Sequence, residues 1–237
     1  MACSKWEYVK DFELDDRLLP STYIVVRVDG RGFTEFCINH NLEKPLDDRL
    51  IRLMSNCAQK VMLKFDEMVL AFGESDEFSF IFKKSAKVFN RRRDKINSTV
   101  ASLFSSVFVK DWSNFFPDLP LQDPPSFDSR IVLYPSLDVV KDYLCWRQAD
   151  THINCLYNYT LNVLLRAGEN PTDATEKLRG TFSNDKNEIL FKHGINYKLL
   201  PAAHRKGTIW IHAKKLFETN DDLIQDAFWK KYSKLFE

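Results

Sequence analysis

The sequence predicts an α+β protein with a mainly antiparallel sheet built in the order βαββαβ, followed by a helical C-terminal half. Three observations carry this. Residues 22–29 (TYIVVRVD) are rich in β-branched side chains and read as a buried strand. Residues 68–72 and 77–82 read as two short strands separated only by the short segment GESD, which predicts an antiparallel hairpin. Apolar residues recur at helical spacing on either side of that hairpin.

Taken in order, the first strand stops at Gly30. Leu46, Leu50, Leu53, Met54, Cys57, Ala58, Val61, Met62 and Phe65 then mark a helix. Pro45 precedes it, and Asp47 and Asp48 favour its start. In the hairpin, Phe78, Phe80 and Phe82 alternate. Ile96, Val100, Leu103, Phe104, Val107 and Phe108 form the stripe of a second helix, with an arginine cluster in its first turns. RIVLY (residues 130–134) closes the set as a strand. This is the split order of ferredoxin-like folds, and a polymerase palm is built on that plan. Beyond it, residues 136–165 are helical in spacing, with room for a break at 150–154. Residues 171–179 form a short helix ending at Gly180, and 184–192 another stopped by Gly194. A late strand at 208–211 and an amphipathic helix at 221–236 complete the reading. The chain is divided into a palm-type catalytic core, 1–135, and a mainly helical region, 136–237, packed on it.

Composition narrows the class. The chain has 237 residues, 44% of them hydrophobic, and 19 Phe supply a core; 7 Gly and 9 Pro are too few for long disordered tracts. A net charge of +1 does not announce a nucleic-acid binder. Lys83, Lys84, Lys87, Arg91, Arg92, Arg93 and Lys95 nevertheless cluster against Asp94 alone, which reads either as a phosphate-binding patch or as a solvated helix face. Five scattered cysteines without a CxxC pair point to reduced thiols, not to a disulfide scaffold or a zinc site. The start, MACSKWEYVKDFELDD, lacks an apolar signal region, and no run approaches the roughly 18 apolar residues of a membrane span. An intracellular protein off the membrane is expected, its division between cytoplasm and nucleus left open.

Asp29 closes one strand, and Asp76 with Glu77 opens another at a hairpin. If those strands are neighbours, three carboxylates converge at one sheet edge and can hold two divalent cations. Magnesium suits such oxygen ligands beside phosphates. Gly30 and Gly32 in RVDGRGF let backbone approach a triphosphate, and the Gly30 carbonyl is a further metal ligand candidate. Arg31, Lys44 and Lys95 are candidate phosphate partners. Each motif alone also reads plainly, as a turn or a solvated hairpin tip.

GESDEFSF (residues 73–80) resembles the GGDEF hairpin of diguanylate cyclases. The longer blocks SKWEYVKDFE, RVDGRGF, GESDEFSFIF, YPSLDVVKDYLCWRQADTHINCLYN, DKNEILF and HRKGT resemble eukaryotic tRNA-histidine guanylyltransferases over nearly the whole chain to about Thr208. That resemblance implies catalytic roles for Asp29, Asp76 and Glu77, with two magnesium ions on Asp29, Gly30 and Asp76. It implies nucleotide binding by Gly30, Arg31, Gly32, Phe33, Lys44, Ser75, Arg92 and Lys95. It also implies a sequence of steps: ATP adenylylates the tRNA 5′ phosphate, the 3′ hydroxyl of GTP displaces AMP, and pyrophosphate is removed. HINCLYN departs from the family's HINNLYN at Cys155.

Unpaired RNA bases are read by stacking and by edge contacts. By the same resemblance, Arg147, His152, Asn154, Asn158, Lys186, Asn187, Arg205 and Lys206 engage histidine tRNA, including its anticodon. Taken alone, Trp146 and Tyr157 read as core and His152 as a structural histidine. Anticodon and acceptor end are too far apart for one small domain, so a homotetramer is expected. A nucleotide cyclase on the same palm and an inactive RNA-binding palm are the competing readings.

Overall fold

The computed structural model describes residues 4–237. Of the five cysteines, Cys3 lies outside the described residues; Cys37, Cys57, Cys145 and Cys155 are free thiols. Six strands make one antiparallel sheet: β1 (Tyr23–Arg31), β2 (Met68–Glu74), β3 (Glu77–Phe82), β4 (Ser126–Tyr134), β5 (Thr208–His212) and β6 (Leu216–Thr219). Their order is β4-β1-β3-β2-β5-β6. The first four strands stand in the split order that the sequence predicts.

Alternation along the strands assigns the two faces. Val26, Val28, Phe78 and Phe80 point into a core shared with α2 (Asp48–Met62) and α3 (Arg93–Phe115). Phe80 and Phe104 are fully buried there. Removing such a ring from water contributes roughly 1.5–3 kcal/mol, enough for the aromatic stack to seat α3 on the sheet. Val25, Ile81 and Leu70 face the other way, onto Val140, Tyr143 and Leu144 of α4 (Leu137–Arg166) and onto the C-terminal segment. The distal half of α4 packs on α5 (Pro171–Leu178), α6 (Ser183–Lys192) and Tyr197.

Several boundaries differ from expectation. Strand β1 does not stop at Gly30, because Gly30 and Arg31 still pair with Phe127 and Ser126 of β4. Strand β2 continues to Glu74, so only Ser75 and Asp76 form the turn, with Ser75 at φ 47°. A short helix, α1 (Phe33–Asn39), precedes α2; it buries only Phe33 and Phe36, too little to produce a readable period. Helix α4 runs unbroken through 150–154. The predicted helix at 221–236 shrinks to α8 (Asp226–Tyr232) and a 3-10 turn, Ser233–Phe236. Residues before it are held as a loop: Gln148 accepts from the Leu223 amide at 2.6 Å and donates to the Asp221 carbonyl at 3.0 Å. The region beyond residue 136 is thus helical in the main but adds β5 and β6 to the sheet.

The basic cluster is divided as well. Arg91 is buried and lies outside α3, in the 3-10 segment Val88–Arg91. Its guanidinium donates to the carbonyls of Leu18, Leu19, Ala86 and Thr22. Phe89, Asn90 and Arg91 all take left-handed backbone, at φ 47°, 54° and 59°. Arg91 therefore fixes an irregular connection and is removed from the surface patch; Arg92, Arg93 and Lys95 remain exposed. No helix among the described residues is long and apolar enough to cross a membrane.

Candidate active site

Strand register brings the acids together. Asp29 pairs with Glu77 on β3 and with Asp128 on β4, so the three residues form one row across the sheet. Asp76 sits in the adjoining turn, and its carbonyl accepts from the Gly30 amide at 3.0 Å. Asp29, Glu74, Asp76 and Glu77 all line a cavity of about 220 Å³, closed opposite by Asn154 and Asn158 of α4.

Their electrostatics are those of crowded, half-desolvated anions. Burial raises the Asp76 carboxyl, and the charge of Asp29 raises it further, while hydrogen bonds from Ser75 and the backbone act against this. Burial pushes Glu74 up to about 7 against Thr151 and Arg147. Glu77 is also raised by burial, although Arg147 and Arg27 pull it back. Among the described residues no three His, Cys, Asp or Glu side chains gather as a ready-made metal cluster. Two hard carboxylates next to open space still fit magnesium, which takes one or two carboxylates and leaves positions for phosphate and water.

Helix α4 is stitched to β3 at two levels. The hydroxyls of Tyr143 and Ser79 lie 2.7 Å apart, and Arg147 Nε donates to Glu77 at 2.7 Å. Four residues of helix rise about 6 Å and two of strand about 6.6 Å, so the two contacts match without distortion. Arg147, expected at RNA, is only 7% exposed and is committed to acids. Glu77, expected to be catalytic, already has Arg147 and, at 3.5 Å, Arg27 on its carboxylate.

A second cavity of about 340 Å³ adjoins the first through Ser75, Asp76 and Asn158. It gathers Phe33 and Lys44, two of the expected nucleotide contacts. Arg31 is exposed, and Gly32 caps α1 in a left-handed conformation at φ 69°. Arg92 and Lys95 lie elsewhere. Neither lines the two cavities, and the Lys95 ammonium stands 5.0 Å from the Phe89 ring.

The match to known families is decisive. The model described as tRNAHis guanylyltransferase matches residues 6–135, and that of the Thg1 C terminal domain matches residues 138–234. The chain belongs to the tRNAHis guanylyltransferase family. It is 49% identical over 250 residues to a probable tRNA(His) guanylyltransferase of Dictyostelium discoideum, covering 98% of this chain and 97% of that one. The crystal structure of the tRNA(His) guanylyltransferase of Saccharomyces cerevisiae superposes with a TM-score of 0.87 at 46% identity, over 92% of this chain and 97% of that one. A bacterial tRNA(His) guanylyltransferase-like protein, solved in complex with ATP, shares the fold at TM-score 0.81 and 23% identity, over 98% of this chain and 99% of that one.

In this guanylyltransferase-family chain the expected RNA residues divide between the two sides of α4. His152, Asn187, Arg205 and Lys206 line a cavity of about 650 Å³ away from the acids. Asn154 and Asn158 face the acids instead. Lys186 is turned to the Thr181 carbonyl at 2.8 Å. His152 is held low by burial and by the charge of Arg205, and the Tyr197 hydroxyl lies 2.8 Å from its Nδ1.

Sequence reasoning passed over a chain of three residues at the acid cavity of this family member. His204 is buried between Tyr159, 2.7 Å from Nδ1, and Asp48, 2.6 Å from Nε2. A carboxylate only accepts, so Nε2 carries a proton and donates to Asp48. The histidine joins α7 (Ala202–Lys206), α4 and the start of α2 across the cavity rim. HRKGT contained the signal, but its neighbouring cations drew attention from the histidine.

Proposed function

We propose that this chain is a tRNA(His) guanylyltransferase that adds a guanosine to the 5′ end of histidine tRNA, with Asp29 and Asp76 as its essential acids. Membership of the family supports the activity. The observation that carries the residue assignment is the meeting of Asp29 and Asp76 in one cavity, tied by Gly30. On this reading the split sheet is a polymerase-type palm.

Asp29, Asp76 and the Gly30 carbonyl would hold magnesium, which when bound neutralises phosphate charge and lowers the pKa of an attacking hydroxyl. Lys44 and Ser75, which line the second cavity, would meet a nucleotide's phosphates. The reaction runs as activation by ATP, giving adenylylated tRNA and pyrophosphate. The 3′ oxygen of GTP then forms a bond to the tRNA 5′ phosphorus as the bond to AMP breaks. Pyrophosphate is finally hydrolysed from the added nucleotide. Binding of ATP by a bacterial protein of the same fold supports the nucleotide requirement. The cavity of His152, Asn187, Arg205 and Lys206 offers the chemistry to read unpaired anticodon bases. A homotetramer lets one copy read the anticodon while another performs the transfer.

The test is incubation with labelled GTP, ATP, magnesium and a tRNA panel, followed by analysis of RNA 5′ ends. Histidine tRNA should gain one labelled 5′ guanosine, and Asp29→Ala and Asp76→Ala should each lose that activity while binding tRNA. Full turnover in both variants overturns the acid assignment. A cyclic product from GTP alone replaces the reading with a cyclase.

A further inference from the structure

Glu74 and Glu77 close the mouth of the hairpin whose turn is Ser75 and Asp76. They are direct cross-strand partners. Like charges directly opposite each other in a sheet repel. Here the repulsion is sharpened by burial, since both side chains are about one-tenth exposed. A single guanidinium answers both: Arg147 donates from Nε and NH2 to the two oxygens of Glu77, at 2.7 and 3.1 Å, and from NH2 to Glu74 at 3.3 Å. Asp150, 3.2 Å away, shares it.

We propose that Arg147 is a positioning residue for the transfer reaction, a buried brace that holds both ends of the turn presenting Asp76. The inference rests on the reading of Asp76 given above. Arg147 itself is held firmly. Its own helix is pinned one turn away by Tyr143 on Ser79 and at the next residue by Gln148, which donates to the Lys206 carbonyl at 2.8 Å. The indole of Trp146 lies 4.6 Å from the guanidinium carbon. Every named polar partner of Arg147's side chain is an acid of this cavity or its own helix, so the arginine has no reach toward RNA. Without it, Glu74 loses its guanidinium partner and Glu77 keeps only Arg27, at 3.5 Å, beneath a two-residue turn. The mouth then widens, Asp76 moves, and the Gly30–Asp76 backbone bond goes with it. Only the bidentate fork of arginine serves both acids, because an ammonium is a point charge.

The test compares Arg147→Met, Arg147→Lys, Glu74→Gln and Arg147→Met/Glu74→Gln in the full chain. The readouts are single-turnover guanylylation at saturating tRNA, tRNA affinity by filter binding, and thermal unfolding. Arg147→Met should lower the single-turnover rate on the order of 10²-fold, as displaced catalytic groups do, with tRNA affinity unchanged. Arg147→Lys should fall between it and the parent. Removing the Glu74 charge in the double variant should restore much of the rate. Weakened tRNA binding with an unchanged saturated rate would make Arg147 an RNA ligand and overturn the proposal; so would a double variant no faster than Arg147→Met. If Arg147→Met does not fold, Arg147→Lys with and without Glu74→Gln gives the same comparison. Asp76→Ala separates the two levels: turnover there defeats the reading of the acid, whereas its loss beside a normal Arg147→Met rate defeats the brace alone.

Discussion

The amide of Gly30 donates to the carbonyl of Asp76 across 3.0 Å, joining the strand that carries Asp29 to the turn that carries the second acid. The relative position of the acids is therefore set by backbone as well as by side chains. A Cβ on Gly30 would meet the ring of Phe33 at 2.3 Å, and that ring is wedged among Phe36, Phe108 and Phe127. Gly30→Ala should cost about 1–3 kcal/mol through overpacking. It should also depress turnover. Urea unfolding reads the first effect, and Phe33→Leu in the same chain should recover part of the lost stability. An unchanged midpoint would mean that the ring moves aside freely.

The Tyr159–His204–Asp48 chain predicts strong coupling. His204→Asn removes a buried ring from between a half-buried hydroxyl and an exposed carboxylate and should destabilise by about 1–3 kcal/mol. Tyr159→Phe should cost less, and the pair should cost less than the sum of the two. A double-mutant cycle in urea checks this; additive losses would show that the two contacts act separately.

The protonation of His152 gives a pH signature. Burial and Arg205 lower its folded pKa below 6.5, so the unfolded chain binds the proton first as pH falls. Its contribution to stability is present above the unfolded value and is lost as pH falls toward the folded one. Unfolding free energies at about pH 7.5 and about pH 5.5 should diverge more in the parent than in His152→Gln. Equal slopes would place the histidine in an ordinary aqueous environment.

Arg91 and Arg93 are near neighbours with opposite predicted behaviour. Arg91→Lys strips a buried fork from several carbonyls and should cost about 1–3 kcal/mol without changing tRNA affinity. Arg93 is exposed and pairs loosely with Asp16 at 3.7 Å, so Arg93→Lys should lie within about 0.5 kcal/mol of the parent. Thermal melts and filter binding separate the two.

What the sequence made legible follows from periodicity. Alternating Phe78, Phe80 and Phe82 placed β3 at its observed bounds, and the leucine stripe located α2. The meeting of Asp29 and Asp76 was legible because Asp29 stands near the end of β1 and Asp76 in the turn of the hairpin beside it. Helix α4 was harder to read. Its polar residues at 150–154 suggested a break, yet they are polar because the helix borders a cavity on each side. Arg147 and Arg91 look like surface cations in a linear reading; only their long-range partners, Glu77 and Thr22, reveal them as buried. His204 is invisible for the same reason, since Asp48 is 156 residues away.

Strand β5 hydrogen-bonds along β2 from Leu70 to Gly73, immediately before the hairpin that carries Asp76. Gly207, just ahead of β5, brings its Cα so near that a methyl there would stand 2.7 Å from the Gly73 carbonyl. A polypeptide cut at the junction between the two family regions would leave that flank of β2 bare, an adhesive apolar border inviting self-association. The two regions are thus successive instalments of one sheet, and the N-terminal part cannot be expected to work, or to stay in solution, when expressed alone.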